Sequence, residues 1–425
     1  MQTTTGPAAA GSLAARLGAA ALAALLLTGA ASPSATPPAG LYGKGDPTAD
    51  GVWRQSLALT ALSAGQVVPA DSAVSWLTGQ QCADGGWTAY RADPNVPCEA
   101  TAEDSNATAV AVQALARLGG HEEALAKATG WLRDTQNADG SWPLHPGRPG
   151  DAASTGLAVN ALLAAGTDPA TVSGKAGKNG YDGLALFQLG CAAPAEQRGA
   201  FSKAGASADV PTTASALLAA AGGRLPVTNT DRADAAPKPL TCPSGSAAVP
   251  HADSGEAASA YLNAQLAAGG QHLAHSDTTP DYAATAWAVL GLIQAGHPHQ
   301  AASAADWLGG NAYTWAAKGP SGTDASATAL LLLTAQAAQL DPYNFGGTNI
   351  LQLLVDAGPA PKSVPSSATS ALAENPDGTK APGSGITEAD DNGGFSPIWL
   401  IGIGLLVGIG GGLLLRLGRR RTAAS

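Results

Sequence analysis

Basic residues are scarce in this sequence. Its 425 residues include 22 Lys and Arg against 32 Asp and Glu, which gives a formal net charge of −10. A protein that neutralises phosphates needs clustered positive charge, so this balance argues against nucleic-acid binding. Aromatic residues are also few, at 5%, yet the 9 Trp outnumber the 4 Phe. This imbalance indicates that Trp serves a positioned, repeated role rather than filling a general core.

Both ends of the chain differ in composition from its body. Residues 1–31 contain Arg16, an apolar run and then small residues, which is the pattern of a secretory signal peptide. Residues 398–415 are apolar and uncharged and are followed by arginines, which predicts one transmembrane helix at 396–417 with a cytoplasmic tail at 418–425. The glycines of this helix could form a pairing face or could simply be tolerated. We therefore predict a single-pass protein of the cell membrane whose N-terminal part is extracellular.

Only four cysteines occur in the sequence. An exported chain keeps such cysteines as disulfides, and four cysteines allow three connectivities. Proximity along the chain favours Cys82 with Cys98 and Cys191 with Cys242. A metal site is the alternative, but no C-x-x-C or Cys/His cluster accompanies these residues, so we predict none.

The part between the two ends divides by composition into three segments. Residues 32–47 are rich in Pro, Ala and Gly and are interpreted as a leader. Residues 48–358 carry helical patterns. Residues 359–395 are rich in Pro, Ser, Gly and Asp and have little apolar content, which predicts a disordered stalk. The abundance of Ala, Gly and Pro, together with the anchor, is typical of a bacterial cell-surface protein.

Two stretches of the helical part share one pattern. Residues 76–87 and 131–142 both read W-L-x-x-x-Q-x-x-D-G-x-W. The Trp-Leu end suits the last turns of a helix, where the Gln can bond free backbone carbonyls. Asp-Gly then makes a tight turn, because Gly tolerates positive φ. Identical internal spacing indicates a repeat, and weaker copies centre on Leu186-Phe187, Tyr261-Leu262, Trp307-Leu308 and Ile350–Val355.

A second helix type alternates with the first. It begins with Asp, runs through Thr and Ala into Leu, and is apolar nearly all round, which predicts burial on most sides. Its copies begin at Asp50, Asp104, Asp151, Asp209, Asp281 and Asp324, and all but the first carry Thr four residues later, as Thr108, Thr155, Thr213, Thr285 and Thr328. The first copy has Arg54 instead. The alternation predicts an all-α protein, a closed α6/α6 toroid with the Asp-initiated helices as its inner ring. An open solenoid is the other solution.

The W-L-x-x-x-Q-x-x-D-G-x-W stretches resemble the QW repeats of the prenyltransferase/squalene-cyclase superfamily. The resemblance covers roughly residues 48–358 and implies the same α6/α6 toroid. That superfamily includes terpene cyclases, protein prenyltransferase β subunits, complement thioester domains and cobalamin carriers of the intrinsic-factor type. The fold therefore does not decide the function.

Motifs of the catalytic members are missing. The D-x-D-D acid of class II terpene cyclases has its nearest match at 388–391, in the predicted stalk. Zinc in the prenyltransferases is held by Asp, Cys and His, but the cysteines here are assigned to disulfides, and the His272/His275 and His297/His299 pairs are interpreted as loop residues. The sequences C-G-E-Q and G-x-S-x-G and a P-loop are absent as well. We predict no catalytic residues, and a cyclase-like or prenyltransferase-like enzyme is kept as the alternative.

The starts of the inner helices are the candidate ligand site. Parallel inner helices bring their first residues to one mouth, where carboxylates and hydroxyls suit a neutral ligand rich in amide donors. Capping is the competing interpretation, because Asp is a favoured N-cap. By resemblance to the cobalamin carriers, the ligand could be cobalamin, delivered to a membrane transporter; an adhesion or scaffold toroid is the third possibility. The predicted site comprises Asp104, Thr108, Asp151, Thr155, Asp209, Thr213, Asp281, Thr285, Asp324 and Thr328.

Overall fold

A computed structural model describes residues 38–174, 176–203, 207–228, 235–242, 248–275 and 278–365, all of which belong to one compact unit. The predicted signal peptide, the transmembrane helix, the cytoplasmic tail and residues 366–395 of the predicted stalk lie outside the described residues. Within the described part of the chain, no helix is both long enough and apolar enough to cross a membrane.

The regular secondary structure of the described residues is helical, and β pairing is limited to isolated bridges. The helices are α1 (Gly51–Ala64), α2 (Asp71–Gly79), α3 (Ser105–Leu118), α4 (Glu122–Thr135), α5 (Ala152–Ala164), α6 (Gly180–Ala185), α7 (Val210–Ala220), α8 (His251–Ala268), α9 (Tyr282–Gln294), α10 (Pro298–Asn311), α11 (Tyr313–Ala317), α12 (Ala325–Ala337) and α13 (Ile350–Asp356).

The Asp-initiated helices α1, α3, α5, α7, α9 and α12 form the inner ring. Each contacts the next, and α12 returns to contact α1. Small residues allow this close approach: a Cβ added to Gly156 of α5 would lie 3.4 Å from the Ala216 Cα of α7. The outer helices α2, α4, α6, α8, α10 and α13 each pack on the inner helix that precedes them. The predicted all-helical, toroid-like architecture is confirmed.

The segments that flank the helices also pack on this body. Tyr42 of the predicted leader is fully buried, and its N–H donates to Gln55 Oε1 at 2.8 Å. At the start of the predicted stalk, the Ser363 carbonyl accepts from Val68 N–H at 2.9 Å. Both contacts involve α1 or the residues just after it. The first helix of the ring is therefore held by both flanking segments as well as by α12.

The two Trp turns have the structure that their sequence predicts. Trp87 and Trp142 are fully buried. Their indole N–H groups donate to the carbonyls of Leu77 (3.0 Å) and Leu132 (2.7 Å), one turn before the end of the preceding outer helix. Gly140 has φ +89°, and a Cβ there would lie 2.2 Å from a backbone oxygen of the next helix pair. Glycine is therefore required at this turn, both for its conformation and for the close approach.

The repeat glutamine acts differently from its predicted role at the end of its own helix. Gln136 Nε2 donates to the carbonyl of the turn glycine, Gly140, at 2.9 Å. Gln188 Nε2 donates both to Gly199, at 2.9 Å, and to the Ser254 carbonyl of α8, also at 2.9 Å. The amide therefore braces the turn, and in the first and third copies it also bonds the next outer helix, since Gln81 Nε2 donates to the Ala124 carbonyl of α4 at 3.0 Å.

The third copy of the repeat is shifted from its predicted centre. Gln188 and Phe201 take the places of the repeat Gln and the closing Trp, which makes buried Leu184 the counterpart of the repeat Leu. The predicted centre, Leu186-Phe187, is wrong because Leu186 is 59% exposed. A longer turn between Gln188 and Phe201 hides the spacing in the sequence.

The predicted disulfide pairing is confirmed. Cys82 pairs with Cys98 and Cys191 with Cys242, and the described residues contain no free cysteine. Two disulfides indicate that the chain folds in an oxidising compartment.

Candidate functional site

The predicted capping role of the aspartates is present in the structure. The carboxylates of Asp104, Asp151, Asp209, Asp281 and Asp324 each accept a backbone N–H from the first turn of their own helix, at 2.7–2.9 Å. This bond satisfies one of the free donors at a helix N-terminus. At each position one carboxylate oxygen is thus committed to the fold.

The threonines four residues later are wholly structural. All five are 0% exposed. Four of their hydroxyls accept a backbone N–H from the preceding turn, at 2.9–3.0 Å, and the donors are Trp87, Trp142, Phe201 and Leu273. The fifth, in Thr328, donates to the Asp324 carbonyl at 2.7 Å and lies 3.4 Å from the Ala316 carbonyl of α11.

Each Asp completes the same connection through its own backbone. The N–H of Asp151 donates to the Trp142 carbonyl at 3.2 Å, while Thr155 Oγ1 takes the Trp142 N–H at 3.0 Å. Asp and Thr together thus form a latch that fixes one turn residue on the inner helix. The hydroxyls of Thr108, Thr155, Thr213, Thr285 and Thr328 are buried and already bonded within the fold, and a contact between them and a ligand stays a prediction.

The latch gives a direct stability test. Thr155→Val keeps the side-chain shape but leaves the Trp142 N–H buried without an acceptor, so we expect a loss of about 1–3 kcal/mol in the free energy of unfolding. The matched control is Thr60→Val on α1. The Thr60 hydroxyl donates only to Ser56 O within its own helix, and that variant should unfold like the parent. Equal chemical denaturation midpoints for the two variants would refute a stabilising role for the bond between Thr155 and Trp142.

The first inner helix departs from this pattern. Asp50 stands at its N-cap, but its side chain accepts no capping N–H. Arg54 replaces Thr and lies 3.2 Å from the Asp50 carboxylate, with side-chain exposures of 6% and 42% respectively. Its guanidinium also donates to the Gly45 carbonyl at 2.8 Å and to the Asp46 carbonyl at 3.4 Å. Arg54 thus holds the leader on α1, and the Asp50 carboxylate pairs with Arg54 instead of capping the helix.

A small polar cavity opens between α1 and α12 at this point. Its volume is about 200 Å³, and Asp50, Arg54 and Asp324 line it together with the loop 319–323. Burial raises the pKa of Asp50, Arg54 lowers it, and the neighbouring carboxylates Asp324 and Asp46 raise it, so the pKa is raised overall. Excess negative charge therefore remains in the cavity after the Arg54 ion pair.

The other predicted site residues do not share this cavity. Of the five capping aspartates, only Asp324 lines it. Asp281 is buried, at 8% exposed, and its second carboxylate oxygen lies 3.4 Å from His275 Nδ1. The signal for the cavity is present in the sequence, as Arg54 at the Thr position, but the predicted site does not include Asp50.

The described residues contain one group of potential metal ligands close enough to share an ion: Cys82, Cys98 and Glu103. Both cysteines are consumed by the disulfide. One carboxylate is left, which does not make a metal site.

Comparison with known proteins reveals similarity in solved structures only. No protein-family model matches the sequence, and no curated protein sequence matches it. A protein from Actinoplanes aligns with a TM-score of 0.43 and 14% identity, over 68% of this chain and 90% of that one. The ent-copalyl diphosphate synthase from Streptomyces platensis aligns with a TM-score of 0.43 and 18% identity, over 68% of this chain and 50% of the synthase.

Proposed function

We propose that this protein is an extracellular, membrane-tethered binding protein that holds a small, neutral, donor-rich ligand in the cavity between α1 and α12. One observation carries the proposal: Asp50 is the inner-helix aspartate without a capping bond, and it lies in a cavity beside Arg54 and Asp324. A carboxylate that neither caps a helix nor is fully neutralised is available to accept hydrogen bonds from a ligand. The tether is the transmembrane helix that the sequence predicts at 396–417.

The polarity of the cavity favours binding over cyclase chemistry. A cyclase acid would have to be a protonated carboxyl facing an apolar cavity, whereas Asp50 faces a guanidinium and a second carboxylate. The alternative of a terpene-cyclase-like or prenyltransferase-like enzyme therefore has less support at this site. An adhesion or scaffold role does not require the cavity at all.

The size of the cavity favours a ligand smaller than cobalamin. Sites for drug-sized ligands enclose about 300–1,000 Å³, and this cavity encloses about 200 Å³. Cobalamin could at most lie across the whole mouth. A monosaccharide or a small amide fits the volume better, and transfer of the ligand to a membrane transporter remains a proposal.

The test is a thermal-shift screen of the purified full chain, in which unfolding is monitored by intrinsic Trp fluorescence. The probes are monosaccharides, small amides and cobalamin. Binding to the native state raises the melting temperature as the probe concentration rises. For a probe that binds, Asp50→Asn should weaken affinity by about 1–3 kcal/mol, because a charged acceptor is lost.

Asp209→Asn is the matched control, since Asn also caps well and Asp209 lies away from the cavity. Loss of affinity in Asp50→Asn alone supports the cavity between α1 and α12. An equal loss in both variants would place the ligand across the whole mouth, as predicted from the sequence. Unchanged affinity in both variants, or no melting shift with any probe, would reject the proposal.

A further inference from the structure

A second carboxyl group lies buried on the outer side of the first helix pairs. Glu103 is 2% exposed, although it is an acidic residue of a loop. The indole N–H of Trp131 on α4 donates to its carboxyl. Gly86 makes this contact possible: a Cβ there would lie 2.7 Å from the Trp131 ring and 2.8 Å from Glu103 Oε2. The turn of the first Trp repeat is therefore shaped around this carboxyl.

The disulfide loop 82–98 lies over Glu103. Cys82 and Cys98 line a surface cavity of about 480 Å³ together with Glu103 and Asp84. Asp84 lines this cavity beside Glu103, and its charge raises the pKa of the Glu103 carboxyl. Two carboxyl groups in contact can share a proton, but they repel each other when both are ionised.

The cations near this pair do not neutralise it. Arg91 lines the same cavity, but its guanidinium donates to the backbone carbonyls of Gln81 (2.9 Å) and Val96 (2.7 Å) within the loop. His145 binds the backbone carbonyl of Glu103 through Nδ1, at 2.8 Å, and not its carboxyl. Asp104, the next residue, carries a further negative charge at the cap of α3. Ionisation of Glu103 would therefore add an uncompensated buried charge.

We propose that the Glu103 carboxyl is a proton-operated latch for the disulfide loop 82–98. When protonated, it links Trp131 of α4 to Asp84 of the loop and holds the two ends of the loop in place. When it loses its proton to solvent, it repels Asp84 and draws in water, and the two ends of the loop around the Cys82–Cys98 bond loosen, while Trp87 within the loop stays buried. The Cys82–Cys98 bond, at the base of this loop, then becomes more accessible to solvent.

The direction of the pH response follows from the causes acting on Glu103. The pKa of Glu103 is raised to about 7 overall: burial raises it most, the Trp131 hydrogen bond lowers it, and the nearby Asp84 raises it. Because the pKa of Glu103 is raised in the folded state, the stabilisation by the protonated carboxyl is complete below its ordinary value of 4.5. It is lost as pH rises through about 7. The ends of the loop around the Cys82–Cys98 bond are therefore held in place in mild acid and loosened above neutrality.

The test uses the second disulfide of the same molecule as an internal reference. The folded full chain is exposed briefly to a phosphine reductant at about pH 5.5 and, separately, at about pH 8.5. The reaction is then stopped with acid. The freed thiols are alkylated at one common pH and are assigned to their cysteines by mass spectrometry. We expect the reduction rate of Cys82–Cys98, divided by that of Cys191–Cys242, to rise about tenfold between these pH values, since most of the ionisation falls within them.

Glu103→Gln keeps an acceptor for Trp131 but cannot ionise, so its ratio should stay constant with pH. Exposed Glu99→Gln, in the same segment, should retain the rise. If Glu103→Gln does not fold, Asp84→Asn replaces it and should reduce the rise by removing the repulsion. A ratio independent of pH in the parent would overturn the proposed role of Glu103. So would an undiminished rise in Glu103→Gln or in Asp84→Asn.

Discussion

Replacing Trp142 with alanine should lower the free energy of unfolding by about 3–5 kcal/mol, the range of large-to-small changes in well-packed cores. The side chain is 0% exposed. Its indole N–H donates to Leu132 O at 2.7 Å, and its ring contacts the first residue of α6, where a Cβ on Gly180 would lie 3.1 Å from it. The substitution therefore opens a cavity at the junction of two helix pairs. Urea denaturation followed by far-ultraviolet circular dichroism measures the loss.

Trp142→Phe is the graded control. Phe201 occupies the corresponding position in the third helix pair and is also fully buried. A phenyl ring therefore suits this kind of turn, and Trp142→Phe should cost less than half of the alanine change, mainly the lost N–H bond and part of the ring volume. If Trp142→Ala unfolds at the same denaturant concentration as the parent, the Trp turns do not hold the ring together.

Removal of the Cys191–Cys242 disulfide should cost about 4 kcal/mol, by the chain-entropy estimate for a loop of this length. The two cysteines are separated by 51 residues in sequence, compared with 16 for Cys82 and Cys98. The longer bridge removes more conformations from the unfolded chain. It also joins the turn after α6 to the segment between α7 and α8.

The double variants Cys191→Ala/Cys242→Ala and Cys82→Ala/Cys98→Ala provide the comparison, because each leaves the other bridge intact. The second pair should cost about 3 kcal/mol on the same estimate. Chemical denaturation of both variants without reductant gives the two values. A cost for the long bridge that is clearly below that of the short one would contradict the loop-length account.

Much of the helical architecture could be predicted because its causes are local. Asp at a helix start, Gly after Asp in a turn, and Trp at a fixed distance from Leu each act through bonds within a few residues. The caps at Asp104 and Asp151 and the turn at Gly140 accordingly have the structure that the sequence predicts. The disulfide pairing followed proximity along the chain, and the burial of Trp142 followed from its repeated position.

Other features depend on residues that meet only when the ring closes. Asp50 and Asp324 begin the first and last inner helices, so their shared cavity exists only because α12 contacts α1. The sequence marks Arg54 as an exception but does not say that the exception lies at the point of closure. Thr155 looked like a possible ligand residue because its hydroxyl is polar, and only the turn packed against it shows that Trp142 already uses it. Local spacing thus determined which helices form, whereas long-range packing decided which polar groups remain free to act.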